Sequence, residues 1–233
     1  IELAYKHTKS LILHIKGTAM PYQELISVIA LTMGIGWASG INLYAAVFML
    51  GMMGSQGYMQ LPAELAVLQD PLVMGAAVFM YCVEFFADTT PGVDSAWDTL
   101  HTFIRIPAGA MLAAGAVGDV TPAVHIAAGL VGGGMAMGSH LTKAGTRLLV
   151  NTSPEPFTNI GLSIGEDIVV VSGILAMIYH PIVFLVILAG FIALMIWALP
   201  KLWRLIKRLF LKVKSFFSKE ELASLEYQDP ARK

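Results

Sequence analysis

The sequence predicts an all-α, polytopic membrane protein with about six transmembrane helices. Of its 233 residues, 56% are hydrophobic and only 13% are charged, whereas about 25% of the residues in an ordinary soluble domain are charged. The mean hydropathy is +0.70. Long runs without Asp, Glu, Lys or Arg occupy 25–63, 120–142 and 168–200, and ~20 apolar residues suffice for a helix to cross a bilayer.

The individual helices are placed by these runs and by the residues that interrupt them. Pro122 is favourable in the first turn of a helix, and the residue before Pro181 is pushed out of the α region, which ends the preceding helix. Shorter apolar runs reach the length of a span only if the charged residues beside them belong to the helix. The predicted spans are 24–53, 69–88, 98–118, 121–150, 159–178 and 181–208.

Basic residues predict the orientation. Nine of the fifteen Lys and Arg follow residue 200, three precede the first apolar run, and the rest are Arg105, Lys143 and Arg147. With six spans all fifteen fall on one side, which the positive-inside rule assigns to the cytoplasm. Five or seven spans would leave one basic cluster outside. We therefore predict a bacterial inner-membrane protein with both termini in the cytoplasm.

The chain divides into four predicted segments: an N-terminal surface segment (1–23), a transmembrane domain (24–200), a basic amphipathic helix (201–220) and a polar tail (221–233). The amphipathic helix alternates basic and apolar residues at helical spacing, which favours binding to anionic lipid headgroups. Docking to a partner protein is the alternative. The charge distribution does not predict a nucleic-acid partner.

An internal repeat is indicated by the ends of two segments, 74–91 and 137–154, which agree at an offset of 63 residues. The repeat relates one helix hairpin to a second, parallel hairpin, and transporters often place their sites at such a repeat interface. In this register Glu84 corresponds to Arg147. The predicted contacts are Glu84 with Arg147, or Asp88 with Lys143.

Two GxxxG patterns, Gly36 with Gly40 and Gly134 with Gly138, predict close helix packing, because small residues let helix backbones approach in lipid. The same seams are also suited to contacts between subunits of a homo-oligomer or to a membrane complex partner. A further alternative is a polar path beside the seam, lined by Ser39, Asn42 and Ser139.

Three predicted helices carry charged or polar residues on one face towards the same end. A charge in hydrocarbon costs several kcal/mol unless it is paired or hydrated, so these stripes need partners or water. They form either a functional cavity or structural ion pairs that fix the packing. The candidate substrate- or ion-binding residues are Glu84, Asp88, Asp94, Asp98, His101, Arg105, His140, Lys143, Arg147, Asn151, Glu166 and Asp167.

Other chemistries are weakly supported. Cys82 is the one cysteine of the sequence, and a single cysteine is too few for a Cys-based metal site or an intramolecular disulfide. Asp94 and Asp98 offer oxygen ligands for Mg²⁺, but Arg105 lies close in the same helix, and we predict neither a metal nor a cofactor. An intramembrane enzyme using Asp94, Asp98 and His101 ranks last, because no nucleophile motif accompanies them. We predict no catalytic residues.

Several motifs together resemble an uncharacterised family of bacterial multi-pass inner-membrane proteins, the domain of unknown function family 4126. The resemblance runs from about residue 30 to 200 and implies the membrane class without an activity. The motifs are ASGINLY (38–44), VEFFADTTPGVDSAWD (83–98), HTFIR (101–105), HLTKAGTR (140–147), NTSP (151–154) and SIGED (163–167).

These observations favour a small transporter or channel-like protein with a charged cavity open to the cytoplasm. Lys143 and Arg147 would attract an anion, while Glu84, Asp88 or His140 would carry protons. The expected activity is proton-coupled movement of a small anionic or zwitterionic solute. The alternative is a non-catalytic membrane scaffold or assembly partner whose buried ion pairs are structural.

Overall fold

The computed structural model describes residues 22–90, 92–151 and 156–227, and in these ranges the chain is all-α. Six α-helices and one 3-10 helix make up the described fold. They are α1 (Tyr22–Ser55), the 3-10 helix Ala63–Gln69, α2 (Pro71–Thr89), α3 (Val93–Ala116), α4 (Pro122–Val150), α5 (Pro156–Tyr179) and α6 (Pro181–Tyr227).

Local sequence explains where the helices begin. Pro71 and Pro122 begin α2 and α4, where the missing proline N–H leaves no hydrogen bond unmade. The side chain of Asp70 caps α2 by accepting a hydrogen bond of 2.8 Å from the backbone N–H of Leu72. Gly92 has φ +86° at the tight turn into α3, a conformation that favours glycine.

Four helical segments are long and apolar enough to cross a membrane: Tyr22–Ser55, Pro71–Thr89, Phe157–Tyr179 and Pro181–Arg208. They indicate a multi-pass membrane protein, as predicted. Helices α3 and α4 reach spanning length but are less apolar, because they carry charged residues and many glycines.

Helix α1 bends back on itself at Asn42, whose φ of −145° and ψ of 96° are not helical. Near its start, Leu31 lines a cavity together with Leu61, which follows the helix, and with Ala116 and Met177 from the ends of α3 and α5. Near its end, Gly54 also lies against Leu61. Both ends of α1 therefore lie at the same end of the bundle.

The contacts along α1 show that the second part of this helix runs back towards the end of the bundle where the first part begins. In the entering arm (22–41), Gly36 lies against Gly132 of α4 and Gly40 lies against Ala136, further along the same helix. In the returning arm (43–55), Gly51 lies against Leu68 in the 3-10 helix, just before α2 begins. Helix α1 is thus a re-entrant helical hairpin that turns inside the bundle.

This hairpin corrects the predicted span over 24–53. The segment has the length and composition of a span, but the chain turns back at Asn42 within the bundle. Helices α2 to α6 run from one end of the bundle to the other. Tyr22, where α1 begins, therefore lies at the end of the bundle opposite to Lys207 of α6, whereas the six predicted spans would place these two residues at the same end. Residues 1–21 lie outside the described residues.

The hairpin is enclosed by the other helices. Its Trp37 packs edge to face on Phe184 and Phe191 of α6, at centroid distances of 5.9 and 6.2 Å, and the side chains of Ile35 and Leu50 are buried. Non-helical backbone at membrane depth is tolerated only where protein or water covers it. The surrounding helices provide that cover for Asn42, which is 4% exposed.

The glycine patterns have different outcomes. Gly36 and Gly40 do mediate close packing of α1 on α4, as predicted. Gly138 packs against the side chain of Met195 in α6 rather than against α1. Gly134 is exposed and has nothing within 4 Å of the position that a Cβ would take. Among the described residues, Gly134 therefore does not have the predicted packing role.

Helix α6 continues without interruption to Tyr227, with Pro200 inside it. The basic segment 201–220 is therefore helical and continuous with the apolar part of α6, and the helix extends into the predicted polar tail (221–233), of which 228–233 lie outside the described residues. The internal repeat stays a prediction.

Candidate functional site

The charged stripes of α2, α3, α4 and α5 meet at the turn of the hairpin. Three cations and four carboxylates form contacts of 4 Å or less, and all come from the predicted candidates. We call this set the ion network. Its members are Glu84, Asp88, Asp98, Arg105, Lys143, Arg147 and Glu166.

Arg105 of α3 joins two acidic residues on different helices. Its Nη2 donates to Oε1 of Glu84 in α2 at 2.5 Å, and its Nη1 lies 3.3 Å from Oδ1 of Asp98. Nη1 also lies 3.1 Å from Nδ1 of His140 in α4. Since the guanidinium only donates, this nitrogen of His140 is the acceptor. The side chain of Arg105 is fully buried.

Lys143 of α4 lies at the centre of the network. Its Nζ donates to Oδ2 of Asp88 at 2.6 Å and to Oε1 of Glu84 at 3.1 Å, and it lies 3.4 Å from Oε2 of Glu166. A third hydrogen bond of 3.1 Å goes to the backbone carbonyl of Ile41. The ammonium group thus connects α2, α4, α5 and the hairpin.

Arg147 closes the network one turn further along α4. Its Nη2 contacts Oε2 of Glu166 at 2.5 Å and Oδ2 of Asp88 at 3.3 Å. Nη2 also donates to the hydroxyl of Ser163 at 3.1 Å, and Nη1 donates to the backbone carbonyl of Asp88 at 2.6 Å. Arg147 is fully buried. It therefore fixes the end of α2 against α4 and α5.

The predicted contact between Asp88 and Lys143 is confirmed, whereas Glu84 and Arg147 do not pair within the described part of the chain. Glu84 pairs instead with Arg105 and Lys143, and Arg147 pairs with Asp88 and Glu166.

The broken hairpin exposes backbone groups to the network. A helix end leaves its last carbonyls without intrahelical partners, and the entering arm ends with the carbonyls of Gly40 and Ile41. Arg105 Nη1 lies 3.4 Å from the former, and Lys143 Nζ donates to the latter at 3.1 Å. Cations at a helix C-terminus are also favoured by the helix dipole.

The returning arm begins with the opposite polarity. Oδ1 of Asn42 accepts a hydrogen bond of 2.9 Å from the backbone N–H of Ala45, which is the geometry of an N-cap. The amide Nδ2 of Asn42 donates to Oδ1 of Asp167 in α5 at 2.9 Å. A carboxylate therefore lies at the N-terminus of the returning arm, where the dipole favours a negative charge.

Asp167 differs from the network carboxylates, because its partners are neutral. Besides Asn42 it accepts a hydrogen bond of 2.6 Å from the hydroxyl of Tyr81 in α2. It takes part in none of the ion pairs among residues 22–90, 92–151 and 156–227.

Asp94 and Asn151 form a separate polar contact at the end of the bundle. The Asn151 amide donates to both carboxylate oxygens of Asp94, at 2.8 and 2.7 Å, and Asn159 Nδ2 donates to Oδ1 of Asn151 at 3.0 Å. Asp94 also accepts from the backbone N–H of Gly92 and of Ser95. These contacts hold the start of α3 to the end of α4.

The two histidines lie beside the network in α3 and α4. His101 donates from Nδ1 to the carbonyl of Trp97 at 3.0 Å, which leaves Nε2 to accept from the hydroxyl of Tyr44 at 3.0 Å. His140 has the reverse arrangement, because Nδ1 accepts from Arg105 and Nε2 donates to Thr102 Oγ1 at 2.8 Å. Both imidazoles are thus used as neutral hydrogen-bonding groups.

Acids outnumber bases in this region. The ion network contains four carboxylates and three cations, and Asp94 and Asp167 add two carboxylates whose described partners are neutral groups. Because charges in a bilayer need compensation, the excess acid favours uptake of protons or cations. Among the described residues, no group of three or more His, Cys, Asp or Glu is arranged to hold a metal ion.

Several buried atoms of the network have no hydrogen-bond partner within the described ranges. Three are carboxylate oxygens: Oε2 of Glu84, Oδ1 of Asp88 and Oδ2 of Asp98. Two are donors, the Nε atoms of Arg105 and Arg147. Such atoms are rare in folded proteins and are usually satisfied by water or an ion. The network thus has capacity for further polar ligands.

Several site residues were not among the predicted candidates. Asn42 was considered only for a polar path, and Tyr44, Tyr81, Ser163 and Asn159 were not singled out. The length of the charge-free run 25–63 was a usable signal for Asn42, because it is nearly twice the ~20 residues of one span. A polar residue near its middle marks the place where the helix breaks.

The helices and the buried charges define a multi-pass membrane protein with an ion network around a re-entrant hairpin. Its sequence matches the model of a family described as a domain of unknown function, DUF4126, over residues 29–201. This match covers most of the chain, so the chain belongs to that family, and the resemblance is confirmed. No curated protein and no solved structure matches the chain.

Proposed function

We propose that the chain is a small transporter or channel-like protein of the bacterial inner membrane, in which the ion network carries protons and binds a small anionic or zwitterionic solute. The observation that supports this most directly is the broken hairpin, whose two helix ends meet the network. Broken helices whose ends face the substrate and the coupling ion are common in transporters, and a hairpin that only packs does not require a polar break inside the membrane.

The charge balance suggests how protons and solute are coupled. With all groups ionised, four carboxylates face three cations, so Lys143 and Arg147 are already neutralised by Asp88 and Glu166. Protonation of those two carboxyl groups would leave the cations in excess. An anionic group would then bind next to Lys143 and Arg147, so that proton uptake and anion uptake favour each other.

The orientation is part of the same proposal. Arg105, Lys143 and Arg147 lie in the half of the bundle towards which α6 carries its basic segment beyond residue 200. By the positive-inside rule this end faces the cytoplasm. The network would then open towards the cytoplasm, and the hairpin would separate it from the other side.

A structural scaffold is the second candidate. It is favoured by the burial of the network, in which Glu84, Arg105 and Arg147 are 0% exposed. Ion pairs closed off in this way can serve only to fix helix packing. The two candidates differ in whether protons or anions cross the membrane.

The decisive experiment is flux into proteoliposomes that contain a pH-sensitive dye, under an imposed pH gradient and with a panel of small anions. Glu84→Gln keeps the shape of the side chain but removes one protonatable carboxyl from the network. We expect it to abolish most of the proton flux seen with the wild type. The matched control is Asp119→Asn, an exposed carboxyl in the loop between α3 and α4, which should keep the wild-type flux.

Folding of each variant is checked by its elution volume and its thermal midpoint. If Glu84→Gln and, in parallel, Asp88→Asn both fold normally and transport like the wild type, the network does not carry the protons. If the wild type shows no flux with any anion of the panel while Glu84→Gln loses thermal stability, the scaffold function is favoured instead.

A further inference from the structure

A second site opens on the outer face of the bundle and reaches inward to Asp167, beside the ion network. It is a groove of about 400 Å³ between the returning arm of α1, α2 and α5. Phe48, Met49, Val78 and Val171 give it an apolar lining, while Cys82 and Asp167 also line it. Val78 and Cys82 are exposed on α2, a candidate membrane span, so the groove opens on the outer surface of that helix.

The carboxylate in this groove has no cation in direct contact within the described part of the chain. Both oxygens of Asp167 accept a hydrogen bond, from Asn42 and from Tyr81, but within the described part of the chain no Lys, Arg or His forms an ion pair with it. Each oxygen has a second lone pair that can accept a further donor. Asp167 lies about halfway along α5 (Pro156–Tyr179), where an uncompensated charge is unfavourable.

We propose that the groove binds a hydrophobic organic ammonium compound that enters from the bilayer, with its cationic group against Asp167. The volume lies in the range of small-molecule pockets, which are typically ~300–1,000 Å³ and mostly apolar with a few polar groups that fix the orientation. The ammonium forms a direct ion pair with Asp167, and the aromatic ring of Tyr81 adds a favourable cation–π contact. The alkyl part lies along Phe48, Met49 and Val171.

Alternative ligands fit less well. An anion would place a second negative charge beside Asp167, and a neutral lipid chain would leave the carboxylate uncompensated. The proposal concerns binding at Asp167 alone, so it holds whether or not the ion network transports protons. Binding is measured without flux, and its failure is therefore distinguishable from failure of the transport proposal.

The test uses the full chain in lipid nanodiscs and its one cysteine. Cys82 lines the groove and is exposed, so a bound ligand should slow its alkylation by a maleimide. The probe is decylammonium, and 1-decanol is the neutral comparator of the same chain length. At a decylammonium concentration about ten times its Kd, the alkylation rate should fall by about tenfold, while decanol should have little effect.

Two variants test the role of the carboxylate and of the space. Asp167→Asn should lose the protection by decylammonium, whereas the control Asp119→Asn should keep it. Val78→Trp fills the groove from its exposed side without changing the partners of Asp167. It should also lose the protection of Cys82 by decylammonium, so the proposal can still be tested if Asp167→Asn does not fold. Equal protection by decanol, or undiminished protection in either groove variant, would overturn the proposal.

Discussion

At the scale of single residues, Lys143 holds the ion network together. Its ammonium group contacts carboxylates from α2 and α5 and also the carbonyl of Ile41 at the end of the entering arm. Through its Nζ atom alone, Lys143 contacts three elements other than α4, namely α2, α5 and the hairpin. Each other residue of the ion network contacts fewer elements through any single atom. Its removal would leave Glu84, Asp88 and Glu166 with one fewer cation in a buried region.

We therefore expect Lys143→Met to lower the free energy of unfolding by about 3–5 kcal/mol, the usual effect of removing one partner from a buried ion pair. The double variant with Asp88→Asn should recover part of this loss, because it removes one unpaired carboxylate. Denaturant unfolding in detergent measures both. The control, Arg204→Met, changes an exposed cation of α6 and should shift stability by less than about 0.5 kcal/mol. Equal stability of Lys143→Met and the wild type would show that the network does not stabilise the fold.

The identity of the network residues could be predicted from the sequence, but their pairing could not. Helical spacing placed Glu84 and Asp88 on one face, and likewise Lys143 and Arg147, so the same residues were expected to meet. Which faces oppose each other depends on the rotation of each helix about its axis. Glu84 therefore pairs with Arg105 and not with Arg147, because α2 contacts α3 at that level.

At the scale of elements, the hairpin is the part of the fold that sequence reasoning missed. From residue 25 onwards both arms lie in one charge-free run, 25–63, whose length exceeds that of one span but does not show that the chain turns back. The break depends on Asn42, whose side chain caps the returning arm and binds Asp167. That role requires knowledge of α5, which lies more than 100 residues further along the chain.

The close packing of the hairpin on α4 leads to a prediction for two glycines. A methyl group at Gly40 would collide with the backbone carbonyl of Ala136 and with the side chain of Ser139. We expect Gly40→Ala to destabilise the fold by about 1–3 kcal/mol, the usual effect of overpacking. The comparison is Gly134→Ala in α4, where an added methyl group meets open space. This variant should be neutral or stabilising by up to about 1 kcal/mol, since alanine is the better helix former.

Thermal unfolding in detergent measures both variants. Destabilisation of the two by the same amount would indicate that α1 and α4 do not approach each other as described. A loss of stability confined to Gly134→Ala would instead point to a contact between copies of the chain through the face of α4 that carries Gly134.

At the scale of the whole molecule, the hairpin changes the path of the chain through the helix bundle. Helices α2 to α6 run from end to end, and α1 enters and leaves at the same end. The basic residues of α3, α4 and α6 lie towards the other end of the bundle, and the positive-inside rule uses such a cluster to assign the cytoplasmic side. The distribution of basic residues could not show whether the number of membrane crossings is odd or even, because a re-entrant hairpin adds an apolar run without adding a crossing.

This path predicts which positions share a side of the membrane. In a Cys82→Ser background, single cysteines at Glu24, Gln56 and Asp119, all exposed, should react with a membrane-impermeant maleimide from one side, while a cysteine at Lys207 should react only from the other. The measurement is labelling of sealed, oriented vesicles before and after permeabilisation. The pair Glu24 and Gln56 decides the question, because these residues flank α1. If α1 crosses the membrane once, they label from opposite sides; if it returns at Asn42, they label from the same side, and Asp119 and Lys207 serve as fixed references for the two faces.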